Sequence, residues 1–266
     1  MPYERGRLPG GQLPDHGKLL TDTFVEFGEH IGPYLLAGLG QTLILVPITF
    51  VGVFGIYVCA GVGGMGAFVA AAAIAEGLRE SLGSDLGGLL SLVAVVAPIV
   101  VSAALLFLVI GAMAAVVAPV SASMVRAVAH HQRGEGDPLG LSAPFSTAMQ
   151  EPGKVILVAL VQAAAAFLLL PFCILPVLLV GLFSWFAPQL AALHEVSARE
   201  AVSFAARHVR EHLTWHAIFF AMMIGLGIAA ANIPVVGPAF LVALSVRAHR
   251  ELFGDGVEPV IGVVRA

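Results

Sequence analysis

The sequence predicts an all-α integral membrane protein, and both its composition and the placement of its charges lead to that fold class. Of the 266 residues, 59% are apolar and only 11% are charged, whereas a soluble domain contains about 45–50% apolar and about 25% charged residues. The mean hydropathy is +0.96. So few charges could not cover the surface of a water-soluble globule. The composition therefore excludes a soluble enzyme and a disordered chain, and the net charge of −4 offers no basic field for a nucleic acid.

Four long runs without Asp, Glu, Lys or Arg indicate how often the chain crosses the membrane. The runs comprise residues 31–75, 86–125, 155–194 and 212–246. One spanning helix needs about 20 residues, so each run is too long for one crossing and fits two. Backbone groups in lipid must bond internally, which favours helices. The simplest prediction is eight transmembrane helices in four helical hairpins, and a six-span version with half-membrane hairpins is the alternative.

Helix-breaking residues near the middle of each run predict where the hairpins turn, because Gly is conformationally free and Pro lacks an N–H donor. They are Gly61, Gly63, Gly64 and Gly66 in the first run, Gly111 in the second, Pro171 and Pro176 in the third, and Asn232, Pro234, Gly237 and Pro238 in the fourth. The expected spans are residues 34–57, 62–78, 87–107, 110–130, 154–171, 174–193, 213–231 and 235–251.

The positions of the basic residues predict the orientation. The hairpin arrangement places every Lys and Arg on one side of the membrane. Basic residues are enriched in cytoplasmic loops, so that side is expected to be the cytoplasm, with both termini there. This corresponds to a multi-pass protein of the bacterial cytoplasmic (inner) membrane. Trp185 and Trp215 would lie near the cytoplasmic headgroups as interface anchors, since tryptophan is enriched at that depth.

Two segments outside the spans have the pattern of amphipathic helices. Within a cytoplasmic N-terminal segment, residues 1–30, the first 14 residues are expected to be disordered and residues 17–30 to form a helix on the membrane surface. Ser197 and Glu200 form a capping-box signature at the start of a second interfacial helix, residues 197–212. The apolar residues at helical spacing are Leu19, Leu20, Phe24 and Phe27 in the first helix, and Ala201, Val202, Ala205 and Val209 in the second.

The two halves of the chain resemble each other, which predicts a two-fold internal repeat within one membrane domain, residues 1–266. The halves are residues 31–135 and 145–256. Val116-Val117-Ala118-Pro119 matches Val235-Val236-Gly237-Pro238, and Ala129-His130 matches Ala248-His249. Phe24, Gly32, Leu39 and Gln41 match Phe145, Gly153, Leu160 and Gln162. Parallel or inverted repeats occur in transporters, but duplication is also common in proteins with no transport role.

Three histidines have the spacing of metal ligands. His208, His212 and His216 follow one another at four-residue intervals, so a continuous helix would place them on one face. Histidines in helices that touch headgroups are common, and a helix break near Leu213 would separate them. We therefore expect no metal site, no cofactor and no catalytic residue. Cys59 and Cys173 could form a disulfide at the outer ends of hairpins, although lone cysteines in apolar spans are more often small core residues.

Three polar residues lie inside the expected spans: Gln41, Gln162 and Asn232. The two glutamines are matched by the repeat and could line a pathway, but such residues more often hydrogen-bond across helices. Asn232 is expected to help form its turn. No Asp, Glu, Lys or Arg lies deep in an expected span, which argues against a proton pump or a voltage sensor.

The second half resembles a family of uncharacterised bacterial polytopic membrane proteins related to the membrane domain of glycerophosphodiester phosphodiesterases. The stretches that carry the resemblance are Glu200-Ala201-Val202-Ser203 with Arg207 and Arg210, Val236-Gly237-Pro238, and Ala248-His249-Arg250-Glu251-Leu252-Phe253-Gly254. The resemblance covers about residues 150–256. The catalytic domain of the phosphodiesterases has no counterpart in the chain, so the resemblance implies a membrane domain and no defined reaction.

The sequence leads to two main hypotheses for function. The first is a non-enzymatic, membrane-embedded scaffold or accessory subunit that contacts the lipid bilayer and possible partners such as other membrane proteins or further copies of itself. The alternative is a transporter or channel for a small neutral or lipid-like solute, built on the two repeats. A continuous polar groove that reaches Gln41, Gln162 or Asn232 would favour transport, and a core filled by Leu, Val, Ala and Phe would count against it. A third hypothesis, an enzyme with a metal bound by histidine, requires His208, His212 and His216 to converge.

Overall fold

A computed structural model describes residues 13–58, 61, 65–82, 84–135, 139–146, 151–169, 174–230, 232–233 and 235–254. In these residues every regular element is a helix, as the sequence predicts. The helices are α1 (His16–Glu29), α2 (Ile31–Val58), α3 (Met65–Leu82), α4 (Ser84–Gln132), α5 (Ala143–Ser146), α6 (Pro152–Leu169), α7 (Ile174–Ser184), α8 (Ala187–Leu193), α9 (Ala198–Glu211), α10 (Leu213–Ala230) and α11 (Val236–Phe253).

Five segments are long and apolar enough to cross a membrane, which supports the assignment as a membrane protein. Most of their surface is not buried inside the protein, as expected of helices that contact lipid. The segments are Ile31–Val58, Val96–Gln132, Pro152–Leu169, Ile174–Leu193 and Leu213–Ala230. Among the described helices, α3 contains a shorter apolar stretch, Phe68–Gly77, and α11 carries charges in its last two turns. Eight separate spans are therefore not confirmed.

The second predicted hairpin is wrong. Helix α4 is 49 residues long and continues through Gly111, where a turn was expected. A single glycine inside a helix costs only about 1 kcal/mol relative to alanine, and the helix formers on both sides of Gly111 offset it. At 1.5 Å per residue, α4 is about 74 Å long, which exceeds the hydrocarbon thickness of a bilayer more than twofold.

Some of the other predicted turns lie within the described residues and some lie outside them. The turn in the fourth run exists: Asn232 N–H donates to Ala229 O at 3.2 Å and its side-chain amide to Ile228 O at 3.3 Å. Pro176 and Pro238, however, lie in the first turns of α7 and α11 rather than in loops. Proline is tolerated there because the first N–H groups of a helix have no intrahelical acceptor. Residues 62–64 and 170–173, with Pro171, and the two cysteines, Cys59 and Cys173, lie outside the described residues.

The chain divides into two compact units. Unit 1 comprises residues 1–45 and 115–266, and unit 2 comprises residues 46–114. The core of unit 1 consists mainly of alanine, valine, leucine and aromatic side chains. Its largest fully buried members include Tyr34, Phe186, Phe219 and Leu244. The described side chains of unit 2 are mostly exposed and apolar, for example Phe50, Phe54 and Tyr57.

Both predicted amphipathic helices are present as α1 and α9. The capping box of α9 has both of its hydrogen bonds, since the Ser197 hydroxyl accepts from Glu200 N–H and the Glu200 carboxylate accepts from Ser197 N–H. The apolar side of α1 faces other helices of unit 1: Leu19 and Phe27 are buried, and the Phe27 ring lies 5.5 Å from that of Phe240 in α11.

Candidate functional site

The histidines are concentrated in unit 1, which contains all nine. Six of them, together with Phe186, Trp215 and Phe253, form one group of ring contacts that we call the histidine–aromatic cluster: His16, His194, His208, His212, His216 and His249. Five helices supply these side chains or end beside them: α1, α8, α9, α10 and α11. We take this cluster as the candidate functional site within the described part of the chain.

The predicted break between the two helices at the cluster is confirmed. Helix α9 ends at Glu211, His212 is its C-cap, and α10 begins at Leu213. Despite the break, His208 Nδ1 lies 2.8 Å from His216 Nε2, so one imidazole donates a hydrogen bond to the other. The ring of His212 lies 4.9 Å from that of His208. Within the described residues, no three His, Cys, Asp or Glu side chains converge as metal ligands.

A second histidine pair joins the end of α8 to α11. His194 Nε2 lies 3.0 Å from His249 Nε2, and both side chains are buried, with His249 completely inaccessible. The two outward Nδ1 atoms have no partner among the described residues. The ring of Phe253 lies 4.9 Å from that of His249 and 4.8 Å from that of His208, so it connects the two pairs.

Burial keeps two histidines of this cluster, His194 and His208, neutral. Desolvation lowers the pKa of His194 below its ordinary value of 6.5, because the charged form loses its hydration. Desolvation, with a smaller contribution from the charge of His212, lowers the pKa of His208 to about 4. At neutral pH His194 and His208 are therefore uncharged, and in a neutral imidazole pair one ring donates the hydrogen bond and the other accepts it.

The N-terminal segment is held on this cluster and on α11. Trp215 Nε1 donates to Pro14 O at 2.7 Å, and the ring of His16 stacks on Trp215 at 4.8 Å. Further along α1, Arg247 of α11 forms ion pairs with Asp22 and Glu26, each at 3.0 Å. Thus α1 is fixed to the bundle by polar contacts at both of its ends.

The two tryptophans occupy different environments. Trp215 is only 6% exposed, and it stacks on Phe219 at 5.2 Å as well as on His16. Trp185 is partly buried and packs edge-on against Phe220 at 5.3 Å, while its Nε1 has no acceptor among the described residues. Their role as membrane-interface anchors stays a prediction.

The intramembrane polar residues are not brought together. Gln162 donates to Ser184 O at 2.8 Å, which joins α6 to α7 in the way expected of a hydrogen bond between helices. Gln41 is 5% exposed, and its Oε1 has no partner among the described residues. Asn232 is exposed and bonds only within its own turn.

Two buried polar contacts could not be found in the sequence. Gln189 of α8 donates to the Ser245 hydroxyl of α11, and the Arg126 side chain donates to Ala192 O at 2.8 Å near the end of α8. Arg126 is 8% exposed. The only indication of the Arg126 contact in the sequence is that Arg126 is the first charged residue after an apolar run. The partners are 56 and 66 residues apart, so no local pattern connects them.

Comparisons with known proteins identify no relative. No protein-family model matches the chain, and neither a curated protein nor a solved structure matches it. The resemblance of the second half to the membrane domain of glycerophosphodiester phosphodiesterases therefore stays a prediction.

Proposed function

We propose that this chain is a non-enzymatic, membrane-embedded scaffold or accessory subunit of the bacterial cytoplasmic membrane. The observation that carries the proposal is the orientation of α9. Its apolar residues Ala201, Ala205 and Val209 are buried within the protein, whereas Arg199 and Arg210 on the opposite side are exposed. Because the apolar side is already packed, α9 offers its polar side to other molecules, which is the property expected of a contact surface.

The interior of unit 1 supports the same proposal. Its core is filled by alanine, valine, leucine and phenylalanine side chains, and the described polar groups Gln162 and Gln189 bond to neighbouring helices. Such contacts stabilise a bundle and do not bind a solute. A densely packed bundle with an exposed polar helix suits assembly with another membrane protein or with a second copy of the chain.

The proposed arrangement in the membrane has six crossings and both termini in the cytoplasm. The crossings would be α2, α4, α6, α7 with α8, α10 and α11, while α3 would remain outside the bilayer core. Residues 76–85, which hold three acids and one arginine, would then lie on the outer side, and the other basic residues would be cytoplasmic. This distribution follows the enrichment of Lys and Arg in cytoplasmic loops.

A photo-crosslinking residue on α9 tests the scaffold proposal. Placed at Ser203, which is exposed on the polar face, it is expected to crosslink one defined protein in intact cells. The matched control is the same residue at Ala205, which is buried on the opposite face and should give no such product. Equal crosslinking at both positions, or none at Ser203, would contradict the proposal.

A transporter or channel for a small neutral or lipid-like solute is the second candidate, favoured by one observation. Gln41 is buried in α2, and its Oε1 has no partner in the described part of the chain. A buried acceptor without a hydrogen bond costs stability, which a role in binding solute would explain. Flux assays on proteoliposomes distinguish the candidates. A transporter would carry solute in a manner that depends on Gln41, whereas the scaffold proposal predicts no difference from empty liposomes.

A further inference from the structure

Four imidazoles meet where the N-terminal segment, α9 and α10 join, and we call this set the histidine clasp: His16, His208, His212 and His216. The bond between His208 Nδ1 and His216 Nε2, at 2.8 Å, connects the last turn of α9 to the first turn of α10. His16 is held on α10 through its Nε2, which lies 3.1 Å from Trp215 O. The clasp therefore fixes both α9 and the N-terminal segment to the start of α10.

Aromatic rings and several charged groups surround the clasp. Phe253 of α11 contacts His208, and Phe186 contacts His216. In the described part of the chain, the one ion pair that involves a histidine joins His130 to Glu135, outside the clasp. The charged groups lie on three helices that carry or contact the clasp. Asp15 and Lys18 lie at the start of α1, where Asp15 caps the helix. Arg207, Arg210 and Glu211 lie on α9, and Arg250 and the Arg247–Glu251 pair lie on α11.

The chemistry of an imidazole pair determines how the clasp responds to protons. In the neutral pair, one facing nitrogen carries a proton and the other accepts it. A first added proton enters on the outer nitrogen of the donor ring, which leaves the bond intact and makes it charge-assisted. A second proton must occupy the facing nitrogen of the acceptor ring. Two N–H groups and two positive charges then face each other, and the hydrogen bond is lost.

We propose that the histidine clasp is an acid-sensitive switch that holds α9 and the N-terminal segment on α10 at neutral pH and releases them when both His208 and His216 are protonated. His212 and His16 assist the release, because their own positive charges repel those of the pair at short range. The inference rests on the geometry of these four residues and does not depend on what binds α9.

The direction of the response follows from burial. The pKa of His208 in the folded protein is lowered to about 4, below the ordinary value of about 6.5 that applies to an unfolded chain. The folded, closed state therefore binds fewer protons than the open one. The contribution of His208 to the stability of the closed state relative to the open state is therefore fully present above about pH 6.5, and it is lost as the pH falls from there towards about 4.

Fluorescence of Trp215 in the full chain tests the proposal directly. The Trp185→Phe protein, reconstituted in nanodiscs of zwitterionic lipid, leaves Trp215 as the single tryptophan reporter. Between about pH 7.5 and about pH 4 its emission should shift reversibly to the red as His16 and the Pro14 carbonyl leave the indole. Hydrogen exchange of residues 198–212 should rise over the same pH range. A protein without either change would overturn the proposal.

Substitutions assign the transition to the clasp. His208→Asn and His216→Gln together keep amide nitrogens near the positions of the two facing imidazole nitrogens but cannot be protonated, so the red shift should disappear. His212→Gln changes a residue outside the hydrogen bond and should lower the pH midpoint of the red shift, because it removes one source of repulsion. This variant tests the proposal if the double variant does not fold. His130→Gln is the matched control and should leave the midpoint unchanged. A parental midpoint in the double variant, or in His212→Gln, would refute the switch.

Discussion

Single polar side chains in this protein bond across helices over long sequence distances. Gln162 could be identified in the sequence because it lies in an apolar run and is matched by Gln41, and its bond to Ser184 O is of the expected kind. The His194–His249 and Gln189–Ser245 pairs could not be predicted, because their partners come from α8 and α11. Periodicity along one helix identifies a buried face but does not identify the side chain opposite it.

The first prediction concerns the buried histidine pair. His249→Leu removes one partner of a hydrogen bond between inaccessible groups, and it should lower the free energy of unfolding by about 1–3 kcal/mol because His194 is left buried without a partner. Denaturation by SDS in mixed micelles measures the change.

The control for this prediction is His130→Leu, at a histidine on the surface, with an expected change within about 0.5 kcal/mol. The double variant His194→Leu/His249→Leu should cost less than the sum of the two single variants, because it leaves no orphaned imidazole. Strictly additive costs would show that the pair does not interact.

The second prediction concerns Gln41, whose Oε1 is buried and has no partner among the residues that the structure describes. Gln41→Leu should leave stability unchanged or raise it, because an apolar group of similar size replaces an unsatisfied acceptor. Gln162→Leu is the contrasting variant and should destabilise the protein by about 1 kcal/mol through loss of its bond to Ser184 O. A loss of stability in Gln41→Leu equal to that in Gln162→Leu would indicate a hydrogen bond that the structure does not contain.

Individual helices could be predicted where the signal is local, and less well where it depends on packing. The capping box at Ser197 and Glu200 is a four-residue signature, and both of its bonds are present. The packing of α1 against α11 depends instead on Arg247, more than 200 residues away, so the sequence alone indicated only a surface helix. The continuity of α4 through Gly111 shows that one glycine does not end a helix whose neighbours all favour it.

The third prediction tests the helix start of α9. Ser197→Ala should cost about 1 kcal/mol of stability, whereas Ser197→Gly should cost only a few tenths, because glycine is better tolerated than alanine at an N-cap. Hydrogen exchange of the first turn of α9 should accelerate in the alanine variant. The same loss for both variants would argue against the capping function of the hydroxyl.

The fourth prediction compares two glycines on α2. A Cβ at Gly38 would lie 2.5 Å from Val235 O and 2.9 Å from the Ala239 Cβ, whereas nothing lies within 4 Å of a Cβ at Gly32. Gly38→Ala should therefore destabilise the packing of α2 on α11 by about 1–3 kcal/mol. Gly32→Ala should be neutral or stabilising by up to about 1 kcal/mol, since alanine favours the helix. Unfolding measurements that rank the two variants in the opposite order would contradict this contact.

For the whole molecule, the distribution of charges was the most informative feature of the sequence. It predicted an all-helical membrane protein, and five described segments are long and apolar enough to span a bilayer. It did not predict the continuous helix α4, because charge-free length alone cannot distinguish a hairpin from one long helix. The internal repeat stays a prediction, since pairs such as Gln41 and Gln162 differ in their contacts.

The topology distinguishes the six-crossing proposal from the eight-span hairpin arrangement. The two differ at residues 76–85, which include the last turns of α3 and the start of α4. If α4 crosses the membrane once, this acidic segment lies outside the cytoplasm. If a hairpin formed in the second run, it would lie inside. Residue 200 is cytoplasmic in both arrangements, so it serves as the fixed reference.

The most direct test of the membrane arrangement is therefore a pair of topology-reporter fusions, one after Leu82 and one after Glu200, expressed in a bacterial cytoplasmic membrane. The account predicts a periplasmic signal after Leu82 and a cytoplasmic signal after Glu200. A periplasmic signal after Glu200 would contradict the orientation of the whole protein, and a cytoplasmic signal after Leu82 would contradict the single crossing of α4.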